Sequence, residues 1–190
     1  MEQLLNFIQK YTALSPEEIE VLKEYIQTEK INAKDYLLQQ GMVCKKIYFI
    51  SEGVVRIFYI DKEGEEVTSH FYNENHFTLD VVSYQNRIPS TKSIQAITDC
   101  KVIVISKEAD LLLSEKISKW NEMKSIISNE SLIDKFNSTS ELLHNDAQTK
   151  YLNFLKAYPD IIQRVPLGQL ASYLGIAQQS LSRIRKQIVS

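Results

Sequence analysis

A run of short apolar segments between residues 35 and 106 constrains the fold of this chain more than any other feature. Six segments rich in Ile, Val, Tyr and Phe alternate with turns: DYLLQQG, KIYFISEG, VVRIFYIDKEG, EEVTSHFY, SIQAIT and KVIVIS. Gly41, Gly53 and Gly64 punctuate them, and the Gly64 in DKEG is typical of a β-hairpin turn. So many short strands in one stretch predict an antiparallel sandwich or jelly roll.

Helical periodicity frames this β-rich region on both sides. Before it, SPEEIEVLKEYI carries an N-cap serine at Ser15 and a capping-box partner at Glu18. From Leu111 onward the apolar residues again recur at helical spacing, which predicts a long helix over residues 111–144. The predicted fold class is therefore α+β, an N-terminal β jelly roll with flanking helices followed by a helical C-terminal part.

The predicted long helix carries two apolar stripes. The first stripe consists of Ile117, Trp120, Met123 and Ile127, and the second, at near-heptad spacing, of Ile126, Ile133, Phe136 and Leu143. Two stripes indicate two partners, so we expect the first to pack on the chain's own roll. We expect the second, through Ile126, Ile133 and Phe136, to pack on the same helix of a second copy. A helix wholly buried in one subunit is the alternative, but a small roll has little surface to cover it.

The C-terminal part is basic in an otherwise acidic chain. The net charge is −2, yet residues 161–190 have a local charge of +4 from Arg164, Arg183, Arg185 and Lys186 and contain no acidic residue. A basic tail on an acidic body indicates an anionic partner for the tail. A helix with an N-cap at Asn145 or Asp146 precedes this tail.

Residues 167–188 have the pattern of a helix-turn-helix. One face of the first helix consists of the apolar residues Leu167, Leu170, Ala171 and Leu174. The second helix is predicted to face inward with Leu181, Ile184 and Ile188, and Gly175 lies at the turn between the two helices. The outer face of the second helix carries Gln178, Gln179, Ser180, Ser182, Arg183 and Lys186. Gln and Arg side chains bind adenine and guanine edges, and Ser and Lys suit phosphates. An ordinary αα-corner with a solvated face is the alternative, but a reading face without any carboxylate favours DNA.

Other kinds of site have weaker support. His70, Glu74 and His76 lie in HFYNENH, and jelly rolls can hold metals, so the alternative function is a metal-dependent, cupin-like enzyme with a helical tail. The cupin order of H-x-H, Glu and a later His is not found in the sequence. Cys44 and Cys100 are too few for an iron–sulfur cluster. We therefore expect no catalytic residue, no metal and no cluster, and two free thiols in a reducing cytoplasm.

The order of these elements resembles the family of the cyclic-AMP receptor protein and the fumarate-nitrate regulator (CRP/FNR). The segment IYFISEGVVRIFYIDKEGEEVTSHFYNENHF resembles the family's roll, and SLSRIRKQI after LASYLGI resembles its recognition helix, in a form similar to short regulators common in Bacteroidetes. The resemblance covers nearly the whole chain. It implies a cyclic-nucleotide-binding-like sensor domain over 1–110, a dimerisation helix over 111–144 and a DNA-binding domain over 145–190.

The resemblance also implies partners and a location. We expect a cytoplasmic homodimer that binds double-stranded DNA at a palindromic operator, with RNA polymerase and a small-molecule effector as candidate partners. The sequence has neither a signal peptide nor an apolar run long enough to span a membrane. The family's base-contacting positions match Gln178, Gln179 and Arg183, and because the second is usually acidic, Gln179 predicts an operator unlike the familiar one.

The family's effector pocket is altered in this chain. Nucleotide-binding members have a Gly-Glu pair followed about ten residues later by Arg-Ser or Arg-Thr, in which the acid binds the ribose and the arginine neutralises the phosphate. The matching positions here are Leu79 with Asp80 and Ser90 with Thr91. Since the glycine and the arginine are both replaced, the effector is unknown and we expect it not to be cyclic AMP.

Overall fold

The computed structural model describes residues 1–189. Two helices open the chain, α1 (Glu2–Ile8) and α2 (Pro16–Tyr25). The β-rich region follows: β1 (Gln27–Ile31), β2 (Tyr36–Leu38), β3 (Lys46–Glu52), β4 (Val55–Ile60), β5 (Glu66–Tyr72), β6 (Phe77–Thr78), the short helix α3 (Val81–Asn86), β7 (Ser93–Ala96) and β8 (Cys100–Ser106). The C-terminal helices are α4 (Lys107–Lys116), α5 (Trp120–His144), α6 (Ala147–Ala157), α7 (Leu167–Leu174) and α8 (Gln178–Val189).

The strands form two four-stranded antiparallel sheets, in the orders β1-β8-β3-β6 and β2-β7-β4-β5. The main core lies between the sheets and includes the almost fully buried Phe49, Ile50, Ile94 and Ile103. Gly64, with a φ of +88°, makes the turn of the β4–β5 hairpin as predicted. The predicted antiparallel roll with flanking helices is confirmed.

Two strands are present that the hydrophobic pattern does not predict. The sequence of β1, QTEKI, is mostly polar, yet β1 pairs with β8 from Gln27 opposite Val104 to Ile31 opposite Cys100. The strand β6 has only two residues, both paired with β3. Both strands lie at the edges of one sheet. Pairing with a neighbour, rather than alternation of apolar residues, decides their structure.

The long helix predicted over residues 111–144 is two helices, so that prediction is wrong at its N-terminal end. Leu111 belongs to α4, and α5 begins only at Trp120. Between them the Glu18 carboxylate accepts hydrogen bonds from the backbone N–H and the hydroxyl of Ser118, at 3.2 and 3.4 Å. The chain turns at this point because both Ile117 and Trp120, each 1% exposed, are buried in the main core.

Asp110 fixes the start of α5 to the roll. Its carboxylate accepts hydrogen bonds from the Tyr84 hydroxyl at 2.9 Å, the Trp120 indole N–H at 2.9 Å and the Lys124 ammonium at 2.5 Å. Burial alone would raise the pKa of this carboxyl, but the bonds from Lys124, Trp120 and Tyr84 outweigh it and lower the pKa. The long helix therefore leaves the roll from a fixed point.

A second apolar core joins α6, α7 and α8 to the roll. Its buried members are Val54, Phe71, Tyr151, Phe154, Ile161, Val165, Leu170, Ala171, Tyr173, Leu174 and Leu181. Phe71 lies on β5, an edge strand, and its ring centroid is 6.1 Å from that of Phe154 and 5.4 Å from that of Tyr173. The C-terminal helices are thus docked on the roll through aromatic contacts.

Candidate nucleic-acid interface and effector pocket

The helical hairpin predicted over residues 167–188 is present as α7, a tight turn and α8. Gly175 makes the turn with a φ of +65°, and the N–H of Ile176 bonds the carbonyl of Ala171 at 3.1 Å. Leu181 of α8 is fully buried. Ile188, predicted to face inward, is instead 37% exposed, because the twelve-residue α8 is longer than the eight-residue α7 on which it packs.

The outer face of α8 presents most of the predicted reading residues to solvent. The exposed ones are Gln179, Ser180, Arg183 and Lys186. Ser182 is half-buried. Gln178 is exposed, but its side chain lies close to Gly168 of α7: a Cβ atom added at Gly168 would be 3.0 Å from the Oε1 atom of Gln178. The residues that form α8 include no acid. Apart from Ile188, its exposed side chains are therefore the amides, hydroxyls and cations that bind base edges and phosphates.

Arg164, one of the four basic residues of the C-terminal part, does not belong to this face. Its guanidinium forms a two-bond ion pair with Glu74 of the roll, at 2.9 Å from Nη1 to Oε2 and 2.7 Å from Nη2 to Oε1. Counting Arg164 among the charges that meet an anionic partner is therefore wrong. The basic charge on the hairpin comes from α8 alone.

Two of the four residues of the predicted effector pocket are bonded to each other. The Ser90 hydroxyl, 3% exposed, donates to Oδ2 of Asp80 at 2.6 Å. The other oxygen, Oδ1, accepts from the N–H groups of Val82 and Ser83 and so caps α3. The Asp80 carboxylate is thus engaged on both oxygens within the chain.

The other two pocket residues are not part of this pair. Leu79 packs against the main core, and Thr91 is exposed. The nearby Arg87 ends α3 in the left-handed conformation, with a φ of +57°, and is exposed. The structure therefore brings the acid and the serine together.

A buried arginine was not predicted from the sequence. Arg56 on β4 is 4% exposed, forms an ion pair with Glu66, and donates to the Gln95 side-chain oxygen through Nη2 at 2.7 Å. Its guanidinium lies 4.0 Å from the centroid of the Phe58 ring. The sequence did contain a signal for this buried arginine: Arg56 is the one cation in the apolar segment VVRIFYI, and it lies between the core residues Val55 and Ile57, on the opposite face of the strand. Arg56 holds β5, on which the hairpin docks, against the rest of its sheet.

The residues of the alternative metal site do not converge. His70 is buried, the Glu74 carboxylate is held by Arg164, and the Nδ1 of His76 lies 3.0 Å from a backbone carbonyl. Within residues 1–189, no group of three or more His, Cys, Asp or Glu side chains is arranged to hold a metal ion. Both cysteines are buried free thiols, and burial raises the pKa of each.

The second stripe of α5 is uncovered in this chain. Its residues, with their exposed fractions, are Ile126 (37%), Ile133 (59%), Phe136 (74%) and Leu143 (74%), and Leu132, next to Ile133 in the chain, is 66% exposed. Ile126 and Ile133, like Phe136 and Leu143, are seven residues apart, which is the heptad repeat of a coiled-coil seam. A contiguous apolar stripe of this kind marks a protein interaction site.

No helix among residues 1–189 is long and apolar enough to cross a bilayer.

Residues 28–113, which include all but the first residue of the β-rich region and most of α4, match the cyclic nucleotide-binding domain family. No curated protein sequence matches the chain.

Three of the similar solved structures each cover more than four fifths of this chain. FixK2 from Bradyrhizobium japonicum has a TM-score of 0.75 and 13% identity, over 86% of this chain and 84% of that one. A putative transcriptional regulator of the crp/fnr family from Eubacterium rectale has a TM-score of 0.73 and 14% identity, over 96% and 87%. The c-di-GMP responsive global regulator CLP from Xanthomonas campestris has a TM-score of 0.70 and 16% identity, over 92% and 91%. Residues 28–113 therefore match the cyclic nucleotide-binding domain family, and the chain has the fold of the CRP/FNR transcription regulators.

Proposed function

We propose that this protein is a homodimeric, sequence-specific DNA-binding transcription regulator. In this proposal residues 1–110 form a sensor or scaffold domain, 111–144 the dimerisation segment and 145–190 the DNA-binding domain, of which residue 190 lies outside the described residues. The observation that carries the proposal is the two-sided character of α8. Its inner face is anchored by the buried Leu181, its outer face exposes Gln179, Arg183 and Lys186, and none of the residues of α8 is acidic.

The uncovered stripe on α5 supports the dimer. A second copy packed in parallel on Ile126, Ile133 and Phe136 would cover most of this apolar surface. Two symmetric copies present two α8 helices, and such a pair binds half-sites about 34 Å apart in a palindrome. Dimerisation and DNA recognition are therefore parts of one proposal.

Selection of bound DNA from a random pool tests the proposal directly. We expect a palindromic consensus whose two halves are separated by about one helical turn. The proposal would be contradicted if the recovered DNA had no common sequence, or if it had a consensus that is not repeated as an inverted half-site.

Arg183→Ala tests the reading face. This variant should lose about 1–3 kcal/mol of binding free energy and relax the preference at one base position of each half-site. Arg185→Ala is the matched control, because Arg185 lies two residues further along α8 and so on nearly the opposite side of the helix. Lys186→Ala should weaken all sequences alike and reduce the salt dependence of binding. If Arg183→Ala and Arg185→Ala select the same consensus, the reading face is wrongly assigned.

The bond between Asp80 and Ser90 supports the part of the proposal that the effector is not cyclic AMP. A ribose hydroxyl needs an acceptor, and both oxygens of Asp80 already accept hydrogen bonds within the chain. The cyclic phosphate needs a cation, and the matching position holds the neutral, buried Ser90. Calorimetry with cyclic AMP and cyclic GMP should show no saturable binding at micromolar concentration. Saturable binding that also raised the affinity for DNA would overturn this part of the proposal.

A further inference from the structure

The connector between α6 and α7 is attached to the roll by an ion pair. Arg164 and Glu74 are 90 residues apart in the chain, and their side chains are 29% and 27% exposed. Oε1 of Glu74 also accepts the backbone N–H of Gly53 at 2.7 Å, just before β4. The Glu74 carboxylate therefore binds the start of β4 in the roll and the connector that leads into the hairpin at the same time. Its pKa is lowered because these bonds outweigh the effect of burial, which alone would raise it.

A second attachment lies along the free edge of β5. The Ser172 hydroxyl of α7 accepts the backbone N–H of Thr68 at 3.0 Å and donates to the backbone carbonyl of Glu66 at 3.1 Å. An edge strand carries unpaired backbone groups, and this one side chain satisfies one donor and one acceptor. The neighbouring Tyr173 packs on Phe71 of the same strand. Thus α7 occupies the position where a further strand would pair.

These attachments determine where α8 lies relative to the dimer seam. The buried Leu181 packs α8 into the core that contains α7, and α7 is bonded to β5. The roll in turn holds the start of α5 through Asp110. In a dimer that meets along α5, the distance between the two α8 helices therefore depends on three contacts in each copy: α8 on α7, α7 on β5, and the roll on the start of α5.

We propose that Arg164, Glu74 and Ser172 are positioning residues for DNA recognition: they hold the hairpin on the edge of the roll and thereby set the spacing of half-sites that the dimer accepts. The inference rests on the proposed function, and it goes beyond it by separating spacing from base preference. Base preference belongs to the outer face of α8, and none of these three residues lies on that helix. Loss of the attachments should therefore change which spacings are bound and leave the preferred bases unchanged.

The experiment measures the affinity of the full chain for its selected half-sites, placed at the selected spacing and at spacings one and two base pairs shorter and longer. The wild type should discriminate against the wrong spacings by about tenfold or more, and Arg164→Gln, Glu74→Gln and Ser172→Ala should each reduce that discrimination severalfold. Arg164→Gln combined with Glu74→Gln should do no more than either alone, because the two residues act as one pair. Lys46→Gln, which removes a 2.9 Å ion pair with Glu29 inside the roll, is the matched control and should behave as the wild type.

A second measurement does not depend on DNA. A spin label on Gln187→Cys, an exposed position on α8, reports the distance between the two reading helices of a dimer, since both native cysteines are buried. The distribution of label-to-label distances should be narrow when the rest of the chain is wild type. It should be broad when Arg164→Gln or Ser172→Ala is added to the labelled protein.

The outcomes separate this inference from the function on which it rests. If selection with the wild type recovers no preferred DNA sequence, the proposed function is overturned and this inference with it. Wild-type discrimination among spacings, together with narrow label distances, in folded Arg164→Gln and Ser172→Ala variants would overturn the inference alone. Retained base preference with relaxed spacing in either variant would support it.

Discussion

Two apolar surfaces of this molecule differ in what covers them. The outer side of β5 is covered within the chain: Phe71 is 3% exposed beneath Phe154 and Tyr173. The stripe on α5 is not covered: Phe136 and Leu143 are each 74% exposed. The covered surface is aromatic and reinforced by hydrogen bonds and an ion pair, whereas the uncovered surface repeats at heptad spacing.

The difference shows that the chain positions its hairpin in two separate steps. An interface inside one chain fixes α8 to its own roll, and the proposed interface between chains fixes one roll to another. The first is built from residues about 100 positions apart in sequence, such as Thr68 and Ser172. The proposed interface between chains needs only the heptad repeat of apolar residues on α5. Each interface can therefore be disrupted by a substitution that leaves the other intact.

The largest effect is expected from a charge on the uncovered stripe. Ile133→Asp would place one carboxylate from each copy in the seam, and each uncompensated buried charge costs about 3–5 kcal/mol. Light scattering at micromolar concentration should show a monomer with intact secondary structure. Ser128→Asp adds the same charge at an exposed position of α5 outside the stripe and should remain dimeric. A dimeric Ile133→Asp protein would show that the copies meet elsewhere.

A smaller but still large effect is expected at the covered surface. Phe154 is 4% exposed, and Phe154→Ala should lower the free energy of unfolding by about 3–5 kcal/mol, because it leaves a cavity beside Phe71 and Tyr173. Leu152→Ala, on the exposed side of the same helix, should cost about 0.5 kcal/mol. Urea unfolding at one fixed protein concentration measures both. Equal costs for the two variants would contradict the assignment of this core.

The covered and uncovered surfaces also differ in how well the sequence predicts them. The heptad stripe, the glycine turns and the Gly175 hairpin are local patterns, and each is found where the sequence places it. The docking of α7 on β5 is not a local pattern, because nothing near Arg164 identifies Glu74 as its partner. Counting Arg164 as a charge for DNA was the natural local interpretation, and only the tertiary contact corrects it.

One error in the sequence-based prediction and one contact that it did not predict have the same physical origin. Ile117 and Trp120 are three residues apart, so the helical period continues across the break between α4 and α5 and conceals it. Likewise, the match of Asp80 and Ser90 to the family's pocket predicts that they lie together, but not that they bond each other. In both cases the spacing of residues in the sequence predicts which residues lie near each other. It does not predict the hydrogen bonds of the polar groups, Ser118 with Glu18 in the first case and Ser90 with Asp80 in the second.

The smallest expected effect concerns the pH dependence of the covered surface. His70 lies beside this surface, with its ring centroid 6.3 Å from that of Tyr173, and is 7% exposed. Burial lowers the pKa of His70 to about 4, and the positive charges of Lys135 and His76 act in the same direction. The folded state therefore keeps a neutral imidazole at pH values where the unfolded chain, with an ordinary histidine pKa near 6.5, takes up a proton.

The free energy of unfolding must then decrease as the pH falls from about 6.5 toward 4, and His70 should account for about 2 kcal/mol of loss between pH 7 and pH 5. Urea unfolding of the wild type and of His70→Gln at pH 7, 6 and 5 measures this contribution as the difference between the two pH slopes. The variant should have the shallower slope, because glutamine does not titrate. His144→Gln, at an exposed position on α5, should keep the wild-type slope. Parallel slopes for the wild type and His70→Gln would mean that His70 is solvated in the folded protein, and that water reaches the interface between roll and hairpin.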